Sequence, residues 1–371
     1  MRIALVAPLV TTIAQPFVGG AQAVVADLAR GLVERGHVVT LFARKGSQVP
    51  GVRLEPVDVP EHIVPSSFAH PGEERAADSS FFAQANLFFD LFLQLRRRSD
   101  EFDLVHVHAF DWPAFTCSAL LADIPVFHTL HLPSVTPEIN EALRILHRRD
   151  HPLTLITVSH ACASTYADYT PIDHIIYNGL ALAGIPFSAQ VDADAPLLFA
   201  GRITPEKGVE AAIEIAALAK RRLLIAGGVY DRAYYEQRIL PRLQQGGERV
   251  SYLGQLEHEA LWQLMGQCCG LLFPIEWDEP FGLTAIEAMA AGTPVIAFRR
   301  GAAAEVIRHG ETGFLVEPGN RVHAAALVDE LPQIARMHCR RHVEQHFSLA
   351  RMLDDHERVY SERLKDDRKR S

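Results

Sequence analysis

Long hydrophobic runs are missing from this chain. Across its 371 residues the apolar stretches are broken by Gly, Pro and polar residues well short of the roughly 20 needed to span a bilayer. Arg2 follows Met1 at once, and the strand-like run Ile3-Ala4-Leu5-Val6-Ala7 comes next, so no export signal is expected. Cysteine is scarce. The five residues Cys117, Cys162, Cys268, Cys269 and Cys339 form an odd set without a C-x-x-C pair, which argues against a disulfide framework and a zinc ribbon and suits a reducing cytoplasm. An excess of positive charge is also missing. Lys and Arg number 36 against 45 Asp and Glu, a net charge of −9, so the chain lacks the overall basic field of a nucleic-acid binder. No internal repeat and no low-complexity tract interrupts it. The remaining composition, 48% apolar and 22% charged, is that of a globular protein about two domains long.

Strand and helix patterns alternate almost from end to end, which predicts an α/β protein with parallel sheets. In the first half, strands are expected over Ile3–Val10, Val38–Phe42, Asp103–His108, Pro125–His131 and Leu153–Ser159. A helix is expected over Gln22–Arg35, with Val24, Val25, Leu28, Leu32 and Val33 on one stripe and Gly36 as its stop. Residues 50–80 read as a long irregular stretch, and Ala181–Pro196 as a linker. The cycle then restarts. Strands are expected over Leu197–Ala200, Leu223–Ala226, Val250–Leu253, Gly270–Pro274, Pro294–Ala297 and Phe314–Val316, with helices over Glu206–Lys220, Glu257–Gln267 and Leu349–Lys365. Two α/β halves on one linker would place a ligand cleft between them.

Two segments carry the chemistry of an anion site. In Ala200-Gly201-Arg202-Ile203-Thr204-Pro205-Glu206-Lys207-Gly208, Thr204 can cap a helix and Pro205 suits its first position, so Arg202 and Lys207 would flank a helix N-terminus. Cations there oppose the helix dipole unless an anion lies between them; the alternative is that both side chains swing into solvent. In Glu276-Trp277-Asp278-Glu279-Pro280-Phe281-Gly282-Leu283-Thr284-Ala285-Ile286-Glu287, a strand runs through an acidic turn into a helix expected to start near Thr284. The amides of Gly282, Leu283 and Thr284 form a ready anion site. Glu279 and Glu287 can face the same mouth, although Thr284-x-x-Glu287 also fits a capping box and Glu279 could be a solvated turn carboxylate. A weaker signal, Val18-Gly19-Gly20-Ala21, lacks the full G-x-G-x-x-G pattern and says only that the backbone approaches something closely there.

These strings resemble the family 4 retaining glycosyltransferases of the GT-B fold. The resemblance is carried by Gly201-Arg202 with Lys207-Gly208, by Glu279-Pro280-Phe281-Gly282-Leu283-Thr284-x-x-Glu287 running on to Ala297, by Glu305-Val306-Ile307, and by Gly310-x-Thr312-Gly313. In the first half it is looser, through Gly19-Gly20, Asp103–His108, Pro125–His131, Val158-Ser159 and Tyr177-Asn178-Gly179. It implies two Rossmann-like domains facing each other across a cleft: residues 1–185 on the acceptor side and 186–349 binding the donor, with a C-terminal helix of about 350–371 packing back onto the first. It also implies a hexosyltransferase that needs no cofactor beyond its donor substrate, a UDP- or GDP-linked sugar. By the matching motif, Arg202 and Lys207 hold the diphosphate, and Phe281, Gly282, Leu283 and Thr284 line the donor site. Glu287 takes the ribose hydroxyls, and Glu279 contacts the donor sugar. Gly20 lets its loop approach the phosphate. His131 sits beside the transferred sugar, His128 being the poorer match. The implied mechanism is a metal-free front-face transfer with electrostatic stabilisation of the leaving group, Glu279 as covalent nucleophile being the minor variant. No Asp-x-Asp suited to a metal is found.

His106, His108, His128 and His131 are read as hydrogen-bonding side chains rather than metal ligands, because no carboxylate completes a site. The apolar segment Phe81–Leu95, followed by Arg96-Arg97-Arg98, is read as a helix buried against the first sheet. Weak peripheral contact with an anionic membrane is kept open, since some members of the family act on lipids. The acceptor is then a sugar, a small molecule or a lipid. Rival readings are an NADP-dependent oxidoreductase using Arg44-Lys45, a nucleotide-sugar epimerase, and a non-catalytic nucleotide-sugar binder.

Overall fold

Runs of Val, Ile and Leu without polar alternation build strands that are covered on both faces, and such strands belong in parallel sheets flanked by helices. The computed structural model of the chain contains two of them and describes every residue except Val10, Pro16, Val18, 61–76, Asp150, His151 and Ser371. The expected strand end at Val10, the loop residue Val18 and the middle of the irregular stretch thus lie outside the described residues. The chain divides into Met1–Tyr177 with Leu349–Ser371, and Asn178–Ser348.

The first unit holds β1 (Arg2–Val6), β2 (Val38–Arg44), β3 (Arg53–Val57), β4 (Leu104–Val107), β5 (Val126–Leu130), β6 (Leu153–Thr157) and β7 (His174–Ile175). They pair in parallel in the order β3-β2-β1-β4-β5-β6-β7. The second unit holds β8 (Leu197–Ala200), β9 (Leu223–Ala226), β10 (Val250–Gly254), β11 (Gly270–Phe273), β12 (Val295–Phe298) and β13 (Gly313–Val316), parallel in the order β10-β9-β8-β11-β12-β13. Strand order reverses between β1 and β4 in one sheet and between β8 and β11 in the other. Loops leaving the C-terminal ends of such strand pairs part to opposite faces, and the crevice between them is where open α/β sheets bind ligands.

In the first unit the helix Gly20–Glu34 buries Val24, Val25, Leu28 and Leu32. The C-terminal helix Leu349–Arg370 lies in the same unit, so close to it that a Cβ on Gly31 would stand 2.5 Å from Leu353 Cδ1. Arg35 pairs with Glu357 at 2.6 Å, and the buried Tyr360 hydroxyl reaches His106 Nδ1 at 2.6 Å. The apolar segment after 80 forms a helix, Ala77–Arg97, that buries Phe88, Leu91, Phe92 and Leu95 in one core with Val6, Val105 and Val107. Its Phe81, Phe82 and Phe89 remain exposed. Among the described residues no helix is long and apolar enough to cross a membrane.

Three local expectations need correction. The stretch over 50–80 contains an edge strand, β3, that its sequence hides: Pro56 cannot donate to a ladder and is tolerated because, among the described residues, only β2 pairs with β3. The segment Ala181–Pro196 is no free linker. Ser188 N donates to Ala291 O at 3.1 Å, and Ser188 O and Ile185 O accept from Arg336 Nε at 2.7 Å and Arg340 Nη1 at 3.1 Å, which docks the segment on the second unit. The helix expected from Glu206 starts at Val209, after a separate 3-10 turn Pro205–Lys207, because Gly208 adopts φ 74° and interrupts it.

Candidate active site

Pairing of Leu197 and Leu198 with Gly270 and Leu271 sets the ends of β8 and β11 side by side, so the loops that follow them meet. Gly208 decides how closely. A Cβ there would stand 1.9 Å from Pro274 O, an approach that no other residue permits. Glu276 N then donates to Glu206 O at 2.9 Å. The result is an ion pair: Lys207 Nζ lies 2.6 Å from Glu279 Oε2, with both side chains 15% exposed. Trp277 Nε1 donates to the same oxygen at 2.6 Å, and its ring lies 5.3 Å from the ammonium. Gly301 closes the turn from the other side. Its virtual Cβ falls 2.4 Å from the backbone N and O of Glu279, and Ala302 N donates to Glu279 O at 2.9 Å.

Lys207 therefore closes a 3-10 turn one residue before Gly208, the N-cap of the helix Val209–Leu218, and faces a carboxylate. Thr204 precedes that turn, but its hydroxyl does not cap it; buried Oγ1 has no hydrogen-bond partner among the described residues. Arg202 pairs with Glu206 at 3.5 Å and lies over the Tyr230 ring at 5.5 Å.

The helix after β11 runs Leu283–Ala290, with Gly282 at φ 94° as its N-cap and no side-chain capping bond. The capping-box alternative is thereby removed: Thr284 is already helical, and Glu287 Oε1 accepts from Trp262 Nε1 at 3.3 Å. A helix start without a side-chain cap keeps its first amides for water or an anion. The Phe281 ring is buried edge-to-face with Phe347 at 5.7 Å, which leaves its backbone facing the loop. The structure thus brings Lys207, Glu279, Gly282 and their loops together, and carries Arg202 and Glu287 on the same unit.

Gly20 and His131 belong to the first unit, where Gly20 opens the helix behind β1. His131 follows β5, and its Nε2 meets His108 Nδ1 at 3.0 Å. Burial of the ring pulls its pKa down to about 3, with His128 and His356 adding repulsion. His106 bonds Tyr360 and Thr129, and His128 bonds Ala109 O. Among the described residues no group of three or more His, Cys, Asp or Glu is placed to hold a metal ion. Sequence reasoning passed over Trp277 and Trp262. The signal available was scarcity: the chain has three tryptophans, and two donate to the two motif glutamates.

Residues 186–342 match the family described as glycosyl transferases group 1, and residues 18–183 match glycosyltransferase family 4. The chain belongs to glycosyltransferase family 4. This family 4 enzyme is 30% identical over 350 residues to a phosphatidyl-myo-inositol mannosyltransferase of Propionibacterium freudenreichii subsp. shermanii, covering 88% of this chain and 84% of that protein. Its fold is GT-B. It superposes on sucrose-phosphate synthase from Thermosynechococcus elongatus with a TM-score of 0.76 at 23% identity, over 97% and 98% of the two chains. It superposes on Anabaena Alr3699/HepE, solved with UDP-glucose, with a TM-score of 0.73 at 19% identity, over 98% and 100%. The family assignment makes the chain a transferase, which displaces the oxidoreductase, epimerase and non-catalytic readings.

Proposed function

We propose that this glycosyltransferase moves a hexosyl group from a UDP- or GDP-linked sugar to a hydroxyl of a sugar, small-molecule or lipid acceptor, with retention at the anomeric carbon and without a metal ion. The Lys207–Glu279 pair at the β8/β11 reversal, followed at once by a helix start without a side-chain cap, is the observation that carries the reading. Breaking the bond from the anomeric carbon to phosphate oxygen sends an electron pair onto the diphosphate. Lys207 has three N–H donors, one engaged on Glu279, which leaves two for phosphate oxygens. Arg202 and the amides of Gly282, Leu283 and Thr284 add to the stabilisation of that charge. In this reading the two side-chain cations and the helix terminus do the work that a metal ion would otherwise do.

In this reading the acceptor hydroxyl attacks from the side on which the diphosphate leaves, and its proton passes to a departing phosphate oxygen. No protein base is required. Glu279 orients the donor sugar through its hydroxyls, Glu287 holds the ribose, His131 lies beside the transferred sugar and Gly20 admits a phosphate to its loop. The UDP-glucose bound by the HepE neighbour supports the donor class, and the mannosyltransferase relative supports a hexose. We place the reaction in the cytoplasm, where five free thiols remain reduced.

A thermal-shift series tests this reading. UDP or GDP should raise the melting temperature, with or without EDTA, because a ligand that prefers the native state stabilises it. NADP should not. A series in which neither nucleotide diphosphate shifts the transition, or in which Mg²⁺ is needed for the shift, overturns it.

A further inference from the structure

We infer that Trp277 is a positioning residue that fixes the Glu279 carboxylate for the donor sugar, a role that rests on the donor reading above. Three contacts meet at one oxygen. Glu279 Oε2 receives the Lys207 ammonium at 2.6 Å and the Trp277 indole N–H at 2.6 Å, while the indole ring lies 5.3 Å from the same ammonium. Indole is donor-only, and its N–H has one direction. An ammonium turns about its stem and can follow phosphate oxygens, but the indole cannot. When two of the three lysine N–H groups engage a diphosphate, the indole therefore keeps Oε2 in place. With Oε2 taken by both donors, Oε1 is the oxygen left to accept from a sugar hydroxyl.

The backbone supports this division of labour. Glu279 N donates to Trp277 O at 2.9 Å, so the tryptophan and the glutamate sit in one tight turn, two residues apart. Gly301 and Ala302 hold that turn from outside, through the 2.4 Å virtual contact and the 2.9 Å hydrogen bond already described. These contacts fix the course of the backbone, and the indole sets the side-chain torsions that the backbone leaves open. A phenyl ring at 277 would keep an aromatic face for Lys207 and lose the N–H. The two functions are therefore separable.

Calorimetric titration of the full chain with UDP and UDP-glucose, or with GDP and GDP-mannose where wild type prefers guanine, separates them. Trp277→Phe should bind the nucleotide diphosphate within about twofold of wild type and the nucleotide sugar about tenfold more weakly, the loss associated with one hydrogen bond to a charged group. Trp277→Leu, which also strips the ring from the ammonium, should weaken both ligands. In a Glu279→Ala background, Trp277→Phe should cost less than about twofold, because the acceptor it serves is gone. Equal weakening of both ligands by Trp277→Phe marks a merely structural residue and overturns the inference, as does full additivity with Glu279→Ala. Should wild type bind neither ligand of either pair, the donor reading itself fails and this inference falls with it; should wild type bind both while Trp277→Phe matches it, only this inference fails.

Discussion

His108 Nδ1 and His131 Nε2 lie 3.0 Å apart, and two neutral imidazoles can share only one proton across that contact. Its location follows from the next atom along. His108 Nε2 is buried with no hydrogen-bond partner among the described residues. An orphaned buried N–H is rarer and costlier than an orphaned acceptor. The proton therefore sits on His108 Nδ1 and is donated to His131 Nε2, so that His131 carries its own proton on Nδ1. His131 enters the proposed chemistry as a neutral donor, not as a titrating acid.

The first prediction concerns that charge state. With its pKa near 3, the His131 ring should keep the ¹⁵N shifts of a neutral imidazole from pH 8 down to about pH 5. Difference spectra between wild type and His131→Gln would identify the signal. A midpoint between 6 and 7 would contradict the buried hydrogen-bonded geometry.

Acid should unfold the first unit early. Burial pulls the pKa values of His128 and His356 to about 4 and that of His131 to about 3, and holds those of His106 and His108 well below the ordinary value of 6.5. A histidine with a depressed folded pKa contributes stability that is complete above about 6.5 and is lost as the pH falls toward its folded value. Five such rings act in one direction, so unfolding takes up several protons. Urea midpoints measured at pH 7.5, 6.5 and 5.5 should fall with increasing steepness. A flat series would show that the rings are hydrated.

The strands and the acidic turn that leads into the helix Leu283–Ala290 were legible because both are local. β8, β9 and that turn come from consecutive residues, and the glutamates eight positions apart announce a turn followed by a helix. Contacts between separate stretches were not legible. Nothing around Gly208 says that Pro274 O stands against it, so the break between Lys207 and Val209 was missed, and with it the pairing of Lys207 with Glu279. β3 escaped because edge strands need no apolar alternation, and Pro56 argued against any strand. The two tryptophan–glutamate contacts join positions whose proximity only the fold supplies.

Asp111 should run opposite to the histidines. It is buried, it accepts from Gln84 Nε2 at 2.7 Å, and burial raises its pKa to about 6. Because its folded pKa lies above its unfolded value, the folded state favours the protonated acid. The penalty is absent below about pH 4 and complete above about pH 6. Asp111→Asn keeps the acceptor oxygen and removes the charge. It should raise stability by about 3 kcal/mol at pH 8 and leave it nearly unchanged at pH 4. Equal effects at the two pH values would mean that the carboxyl carries no burial penalty.

Lys207→Ala should lower turnover by about 10²-fold or more, since in the proposed reaction it removes a cation directed at the departing diphosphate. The cost to stability should be about 1–3 kcal/mol, because the pair is mostly buried and Glu279 loses its cation while keeping the Trp277 N–H. Initial rates at saturating donor, set beside melting temperatures, separate the two effects. A rate within about threefold of wild type would remove Lys207 from the leaving-group machinery.

Gly208→Ala tests the packing on which the pair depends. The residue sits at φ 74°, where an L side chain costs about 1–2 kcal/mol. Its Cβ would also stand 1.9 Å from Pro274 O, a backbone atom that cannot rotate away. One of the two loops must move, and both lead into the site. The variant should lose about 2–4 kcal/mol in urea denaturation. Molecules that remain folded should also bind nucleotide diphosphate more weakly, because displacement of the 3-10 turn takes Lys207 away from Glu279. Stability lost with binding intact would locate the adjustment on the Pro274 side, leaving the turn that carries Lys207 in place. Stability equal to wild type would mean that the two loops do not approach as closely as the 1.9 Å contact requires.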